Sequence, residues 1–307
     1  MRESVIINEV GLRDGLQNQQ KLVPTDQKLD LLVALLRAGV RNVEVTSFVS
    51  PKAVPQMADA AEIYSQLPAK DSIDYSVLVP NMRGYERARE SGAASVAVVT
   101  ACTKTMNQRN INMSLDQAIA TAKAIVRRAA VDKVVARIYL ATAFVCPFEG
   151  AVDPARVHQL AGRMLDLGAA EVIVADTIGA ANPVEVARMF EVLVPRHGAQ
   201  RLSGHFHDTK GLALANTFAA LERGIRKFDA SIGGMGGCPF APGAAGNAAT
   251  EDVVNMLESA GYATGIDLDA LAAAVIVAER CVERSLGGRW MSWRRSKGSV
   301  QTKIQDE

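Results

Sequence analysis

Eight times along this chain a short β-branched run gives way to a longer stretch of helical period, and that repetition constrains the fold more than any other feature. The runs begin at Val5-Ile6-Ile7, Asn42-Val43-Glu44-Val45, Tyr75-Ser76-Val77-Leu78, Val96-Ala97-Val98-Val99, Val135-Ala136-Arg137-Ile138-Tyr139-Leu140, Val172-Ile173-Val174-Ala175, Arg201-Leu202-Ser203-Gly204-His205 and Phe228-Asp229-Ala230-Ser231-Ile232. Each round has the length of one strand-helix unit, and strands joined through helices lie parallel. The predicted fold is therefore α/β: a closed (β/α)8 barrel of the TIM type, with additional helices at the carboxyl end.

The intervening helices carry their own punctuation. Leu29, Leu32, Val33 and Leu36 recur at helical spacing after Thr25 and stop before Gly39, while Val157, Leu160, Ala161 and Met164 follow Asp153-Pro154 and end at Gly168. Ser114 with Gln117, and Asn182 with Glu185, have the spacing of capping boxes. Beyond the eighth strand a loop with six glycines from Gly233 to Gly246 leads into two more helical segments, roughly 248–260 and 268–282. No linker is long or polar enough to divide the chain. Residues 1–283 read as one catalytic barrel with its extra helices, and 284–307 as a basic tail expected to be solvated and partly disordered.

Charge excludes several function classes. With 34 basic against 33 acidic side chains and 49% apolar residues, the 307-residue chain implies neither a nucleic-acid surface nor a membrane span. The opening Met1-Arg2-Glu3-Ser4 runs straight into Val5 without the pattern of an export signal, so a cytoplasmic setting is expected. Cys102, Cys146, Cys238 and Cys281 lack the paired spacing of a zinc ribbon or a disulfide scaffold and read as free thiols.

Barrels of this kind place their chemistry at the carboxyl ends of the strands. His205 and His207 stand one residue apart there, on one face of the seventh strand, as a two-pronged grip for a divalent metal. Arg13 and Asp14 follow the first strand, Glu44 lies in the second, Asp176 ends the sixth, and Cys238 and Asn247 sit in the loop after the eighth. A hard cation on two imidazoles needs oxygen donors, and Asp14 and Asn247 are the best placed. That mixed shell favours Mg2+ or Mn2+, with Zn2+, Co2+ or Fe2+ as occupants in vitro. The residues alone leave alternatives open. Asp14 equally suits a salt bridge to Arg13, and Asn247 a cap on the helix that follows. Glu44, between Val43 and Val45, needs a partner when buried, and Arg13 is the natural one. Cys238, in Gly233-Gly234-Met235-Gly236-Gly237-Cys238-Pro239-Phe240, is either a proton donor beside the metal or a passive residue in a glycine nest for an anion.

Longer motifs carry a resemblance. Glu9-Val10-Gly11-Leu12-Arg13-Asp14-Gly15-Leu16-Gln17-Asn18 resembles the opening signature of the hydroxymethylglutaryl-CoA lyases, a family within the DRE-TIM metallolyases. In order and spacing the same holds for Thr46 to Lys52 with Val54 to Met57, Cys146 to Gly150, Asp176 to Gly179, His205 to Thr209, Gly236 to Phe240 and Gly246 to Asp252. The resemblance covers roughly residues 5–282. It implies that Asp14, His205, His207 and Asn247 are ligands of the metal and that Arg13 and Glu44 act at the reacting carbonyl. Asp176 would aid proton traffic and Cys238 would be the acid particular to the lyases, with His205 counted among the catalytic groups as well.

The implied reaction is retro-Claisen cleavage of 3-hydroxy-3-methylglutaryl-CoA to acetyl-CoA and acetoacetate. The implied partners are an acyl-CoA substrate and a second copy of the chain in a homodimer or other homo-oligomer. Two departures stand out. Where the family usually carries Ser-Glu-x-Phe after the fourth strand, this chain reads Thr103-Lys104-Thr105-Met106, which points to a related 3-hydroxyacyl-CoA such as the 3-hydroxyglutaryl compound. The segment from Arg284, with Arg289, Trp290, Trp293, Arg294, Arg295 and Lys297, matches nothing expected of the family; a basic arm toward CoA phosphates or a neighbouring subunit is the alternative to a solvated tail.

Two other functions are consistent with parts of the pattern. A Claisen-condensing acyltransferase of the same superfamily would share the metal but join acetyl-CoA to a 2-oxo acid; Cys238 and the lack of room for a regulatory domain weigh against it. A binding module without catalysis would not need a metal, an acid and an arginine on one rim.

Overall fold

A parallel strand covered by helices outside and by side chains inside must be apolar or paired on both faces, and β8 (Glu171–Asp176) is buried at all six positions. The computed structural model describes residues 2–69, 72–237 and 246–305. Its strands are β1 (Ile6–Glu9), β2 (Asn42–Ser47), β3 (Asp74–Leu78), β4 (Ser95–Ala101), β5 (Val135–Ala141), β6 (Val145–Cys146), β7 (Gly150–Ala151), β8, β9 (Leu202–Phe206) and β10 (Lys227–Ala230). Eight of them close a parallel barrel in the order β1-β10-β9-β8-β5-β4-β3-β2, so all eight predicted strands are present and the predicted architecture holds. The antiparallel ribbon β6–β7 was not foreseen. It follows β5 on the carboxyl side and turns through Pro147-Phe148-Glu149.

Both ends of the barrel are explained by what fills them. In the middle, Ala97, Tyr139 and Ile173 form a small inner cluster with Val99 against them. At the amino end Arg137 pairs with Asp74 and lies 3.8 Å from Glu171, which also takes Lys227 at 2.9 Å. These charges plug the floor, and the open end is the carboxyl rim.

The helices are α1 (Thr25–Arg37), α2 (Ala60–Ser65), α3 (Met82–Glu90), α4 (Lys104–Ile111), α5 (Leu115–Asp132), α6 (Pro154–Asp166), α7 (Pro183–His197), α8 (Ala213–Leu221), α9 (Thr250–Ser259), α10 (Leu268–Val282) and α11 (Arg289–Gln305). Both capping boxes form as the sequence predicts, Ser114 with Gln117 opening α5 and Asn182 with Glu185 opening α7. Helix α10 packs on α1 and α9 on the loop after β10, so these two complete the outer layer. The basic tail departs from expectation: α11 is helical, Met291 is buried, and Asp252 of α9 accepts the backbone N–H groups of Arg289 and Trp290 at 2.8 Å each. Buried Met291 and the Asp252 carboxylate at the helix start outweigh the solvating charges.

Candidate active site

Arg13 and Asp14 reach the rim because the chain leaves β1 in a single wide turn, Gly11–Gly15, in which the Val10 carbonyl accepts N–H groups of Arg13, Asp14 and Gly15 at 3.1, 2.7 and 3.1 Å. Glu9 staples that turn. Its Oε1 accepts from the Gly11 and Ile232 amides at 2.7 and 2.9 Å, and its Oε2 from the Thr250 hydroxyl at 2.6 Å. Burial pushes the Glu9 carboxyl up to about 7.

The Arg13 guanidinium is buried between two carboxylates: Nε donates to Glu44 Oε1 and Nη1 to Asp14 Oδ1. Burial works against its charge, but Glu44 and Asp14 outweigh that and hold it protonated. On Glu44 burial wins despite Arg13, so its carboxyl sits above the ordinary range. The salt-bridge reading of Asp14 is thus correct, and it uses only one oxygen. Oδ2 faces the barrel, 2.8 Å from Asn247 Nδ2 and 3.6 Å from His207 Nε2. Burial opposes ionisation of Asp14, and Arg13 with His207 overcomes it, leaving the pKa below the carboxylate range.

His205 and His207 occupy the end of β9 and the position just beyond it, where His207 bridges antiparallel to Asn247. His205 Nδ1 lies 2.9 Å from Asp229 Oδ2, which fixes the ring and leaves Nε2 for a ligand. Burial lowers the His205 pKa, and the Asp229 hydrogen bond more than reverses it. Tyr139 joins the two carboxylate systems, its hydroxyl 2.8 Å from Glu44 Oε2 and 2.7 Å from Asp229 Oδ2, with Arg13 5.5 Å from its ring centroid. Burial and both carboxylates raise the phenol well above its usual pKa.

These residues fit a divalent cation. Ligand atoms of Asp14, His205 and His207 all lie within 4.8 Å of one another. Two buried polar atoms beside them, His207 Nδ1 and Asn247 Oδ1, have no hydrogen-bond partner, an expensive arrangement unless something else satisfies them. Asn247 does not cap α9, whose first turn is preceded by Ala249 with no side-chain cap. Its amide instead donates from Nδ2 to Asp14 Oδ2 and to the Met235 carbonyl at 3.1 Å, which turns Oδ1 away from those acceptors. Gly236 makes room for it: a Cβ there would stand 2.5 Å from Asn247 Nδ2.

Asp176 ends β8 as expected, but its oxygens accept the Ala180 and Ala181 amides at 3.0 Å each, so the carboxylate shapes the following turn. Burial raises its pKa. Cys238, Pro239 and Phe240 lie outside the described residues. Reading the sequence did not single out Tyr139, Asp229 or Glu9 as functional. A signal existed for two of them, since Tyr139 and Asp229 are polar residues inside β-branched runs, the same clue that marked Glu44.

A cavity of about 420 Å3 opens on this rim. Arg13, His205 and His207 form its polar wall, and Leu78, Val99 and Met106 an apolar one. The departing Thr103 to Met106 segment therefore does reach the pocket. It is held by Asn107, which bonds the backbone of Ala101 and Thr103, and by Glu149, which accepts the Thr105 amide at 2.6 Å.

An acid, two imidazoles and an ion-paired arginine on the carboxyl rim of a (β/α)8 barrel form a candidate divalent-metal site where barrel enzymes keep their chemistry. The HMGL-like family matches residues 4–277. The hydroxymethylglutaryl-CoA lyase of Pseudomonas mevalonii is 43% identical over 88% of this chain and 90% of its own length. The crystal structure of the hydroxymethylglutaryl-CoA lyase of Pseudomonas aeruginosa superposes with a TM-score of 0.92 at 39% identity, covering 97% of this chain and 99% of that one. A lyase from Acinetobacter baumannii, solved with coenzyme A and 3-methylmalate, gives 0.89 at 40% identity over 93% of each chain. The chain belongs to the hydroxymethylglutaryl-CoA lyase family. Among the described residues no helix is long and apolar enough to cross a membrane.

Proposed function

We propose that this protein cleaves 3-hydroxy-3-methylglutaryl-CoA, or a close 3-hydroxyacyl-CoA, to acetyl-CoA and acetoacetate or the corresponding keto acid. The observation that carries the reading is the convergence of Asp14, His205 and His207 next to the orphaned Asn247 Oδ1 and the buried Arg13. Asp14, His205, His207 and Asn247 would hold Mg2+ or Mn2+, which supplies Lewis acidity toward the C3 hydroxyl and a neighbouring oxygen.

The protein's own groups do the rest. Asp229 orients His205, and Glu44 with Asp14 holds the Arg13 fork in one plane. The C3 hydroxyl gives up its proton to solvent, the C3=O bond forms as C2–C3 breaks, and the electron pair moves to the thioester as an enolate whose oxygen Arg13, a fixed cation, stabilises without reorganising. Cys238 then delivers a proton to C2. Asp176, both oxygens on backbone amides, keeps the loop above β8 in place, and it is the group assigned to aid proton traffic. The cytoplasmic setting and a homo-oligomeric assembly belong to this proposal; the condensing alternative is dropped, because the matched relatives are lyases.

Incubation with 3-hydroxy-3-methylglutaryl-CoA and Mg2+ should give acetyl-CoA and acetoacetate in equal amounts; consumption of acetyl-CoA with a 2-oxo acid would favour condensation instead. Cys238→Ser is expected to lower kcat at least 100-fold with KM and metal affinity nearly unchanged, since a serine hydroxyl is a far weaker acid. A variant with most of its kcat would make Cys238 a bystander.

Met106 gives a specificity prediction. An unbranched thioether lines the wall where the family carries phenylalanine, and it adapts to groups of different size. A panel of 3-hydroxyglutaryl-CoA compounds bearing hydrogen, methyl or ethyl at C3 should give specificity constants within about tenfold, and Met106→Phe should spread them, since one methylene is worth roughly 10–200-fold in a fitted pocket. An unchanged spread would remove Met106 from substrate choice.

A further inference from the structure

The segment from 286 to 295, which the family resemblance leaves unaccounted for, is wired into the loop that presents Asn247. The Gly287 amide donates to the Gly233 carbonyl at 3.1 Å. Glu251, fully buried in α9, bridges the same two stretches: its Oε2 accepts the Gly233 amide at 3.0 Å and its Oε1 the Gly288 amide at 2.7 Å. Helix α11 locks this joint from the other side. Asp252 caps its first turn, and Arg295, one turn and a half further on, donates to the Leu286 carbonyl at 2.9 Å and to Glu279 at 2.7 Å.

Two residues past Gly233 stands the Met235 carbonyl, which together with Asp14 Oδ2 sets which way round the Asn247 amide lies. The Asn247 backbone is already fixed without the tail, because the Ala248 amide donates to Phe206 and its carbonyl accepts from Ser231, both at 3.0 Å. What the tail adds is therefore confined to the turn through Gly233 and to the side-chain amide that the turn orients. If the Met235 carbonyl shifts, nothing but Asp14 distinguishes Asn247 Nδ2 from Oδ1, and a flipped amide turns a donor toward the cation.

We infer that the carboxyl-terminal segment is a positioning brace for the metal centre, acting through Gly233 and Met235 on Asn247. This rests on the metal reading given above. It assigns the tail a task that neither a solvated extension nor an arm toward the substrate would perform.

The test uses Mn2+ titrated calorimetrically into metal-stripped protein, for the full chain, a chain ending at Ser285, and Gly288→Ala. The last variant keeps every residue of α11, but its new Cβ would stand 2.1 Å from Asp252 Oδ2, so the Asp252 cap beside the joint must give way. The full chain should bind one Mn2+. Either altered protein should bind it about tenfold or more weakly, the size of effect that follows loss of groups orienting a ligand, with far-UV circular dichroism still that of the barrel. A third chain ending at Lys297 should bind as the full chain does. Unchanged Mn2+ affinity in a folded Gly288→Ala protein overturns the brace, whatever happens to its melting temperature. Should the shortened chain fail to fold, the Gly288→Ala affinity decides alone. A full chain that binds no Mn2+ overturns the metal reading and this inference with it, and the two failures are told apart by that first titration.

Discussion

Replacing His207 with alanine is expected to lower kcat about a thousandfold and to weaken Mn2+ binding by more than an order of magnitude, with the barrel intact. His207 is buried, its ring lies beside Asp14 Oδ2, and one ring nitrogen has no partner within the protein, which fits a ligand better than a packing residue. A bound cation contributes several kcal/mol to the transition state, and about 4 kcal/mol is three powers of ten. Steady-state kinetics at saturating Mg2+, paired with calorimetric Mn2+ titration, separates the ligand from a packing residue: a packing histidine would lower the melting temperature and leave both other quantities near normal.

The second large effect belongs to Arg13. Arg13→Gln should cost roughly 100- to 1,000-fold in kcat, the range seen when one oxyanion donor is removed, and about 3–5 kcal/mol in stability, because Glu44 is left buried without its cation. The two losses are separable. Adding Glu44→Gln removes the uncompensated charge and should return much of the stability while activity stays low. Recovery of activity along with stability would reduce Arg13 to a structural ion pair and move the oxyanion role elsewhere.

Most of the barrel was legible because its signal is local. Strand runs, helix periods and the Ser114 and Asn182 boxes are each written within a few neighbouring residues, and the His-x-His pair is a short pattern at the end of one strand. The roles of Asp14 and Asn247 were not settled that way, since they lie 233 positions apart and meet only because β1 pairs with β10 to close the barrel. Closure lets Asp14 make the salt bridge with one oxygen while the other faces the histidines, so the two readings do not exclude one another. Tyr139 read as an ordinary strand aromatic; its hydroxyl acquires meaning only when β5 brings it against Glu44 and Asp229 from other strands. The helical start of the tail was hidden for a related reason. Its composition is basic, but Met291 and the Asp252 cap are tertiary contacts that no count of charges records.

In the proposed mechanism, cleavage depends on a divalent cation held by Asp14, His205, His207 and Asn247. Its most direct test is to strip the enzyme with a chelator, remove the chelator, and follow acetoacetate from 3-hydroxy-3-methylglutaryl-CoA before and after adding back one equivalent of Mn2+ or excess Mg2+. Negligible cleavage by the stripped enzyme and full recovery with metal are expected, whereas a stripped enzyme that cleaves at the original rate, or a metal-loaded one that releases no acetoacetate, would overturn the metal dependence.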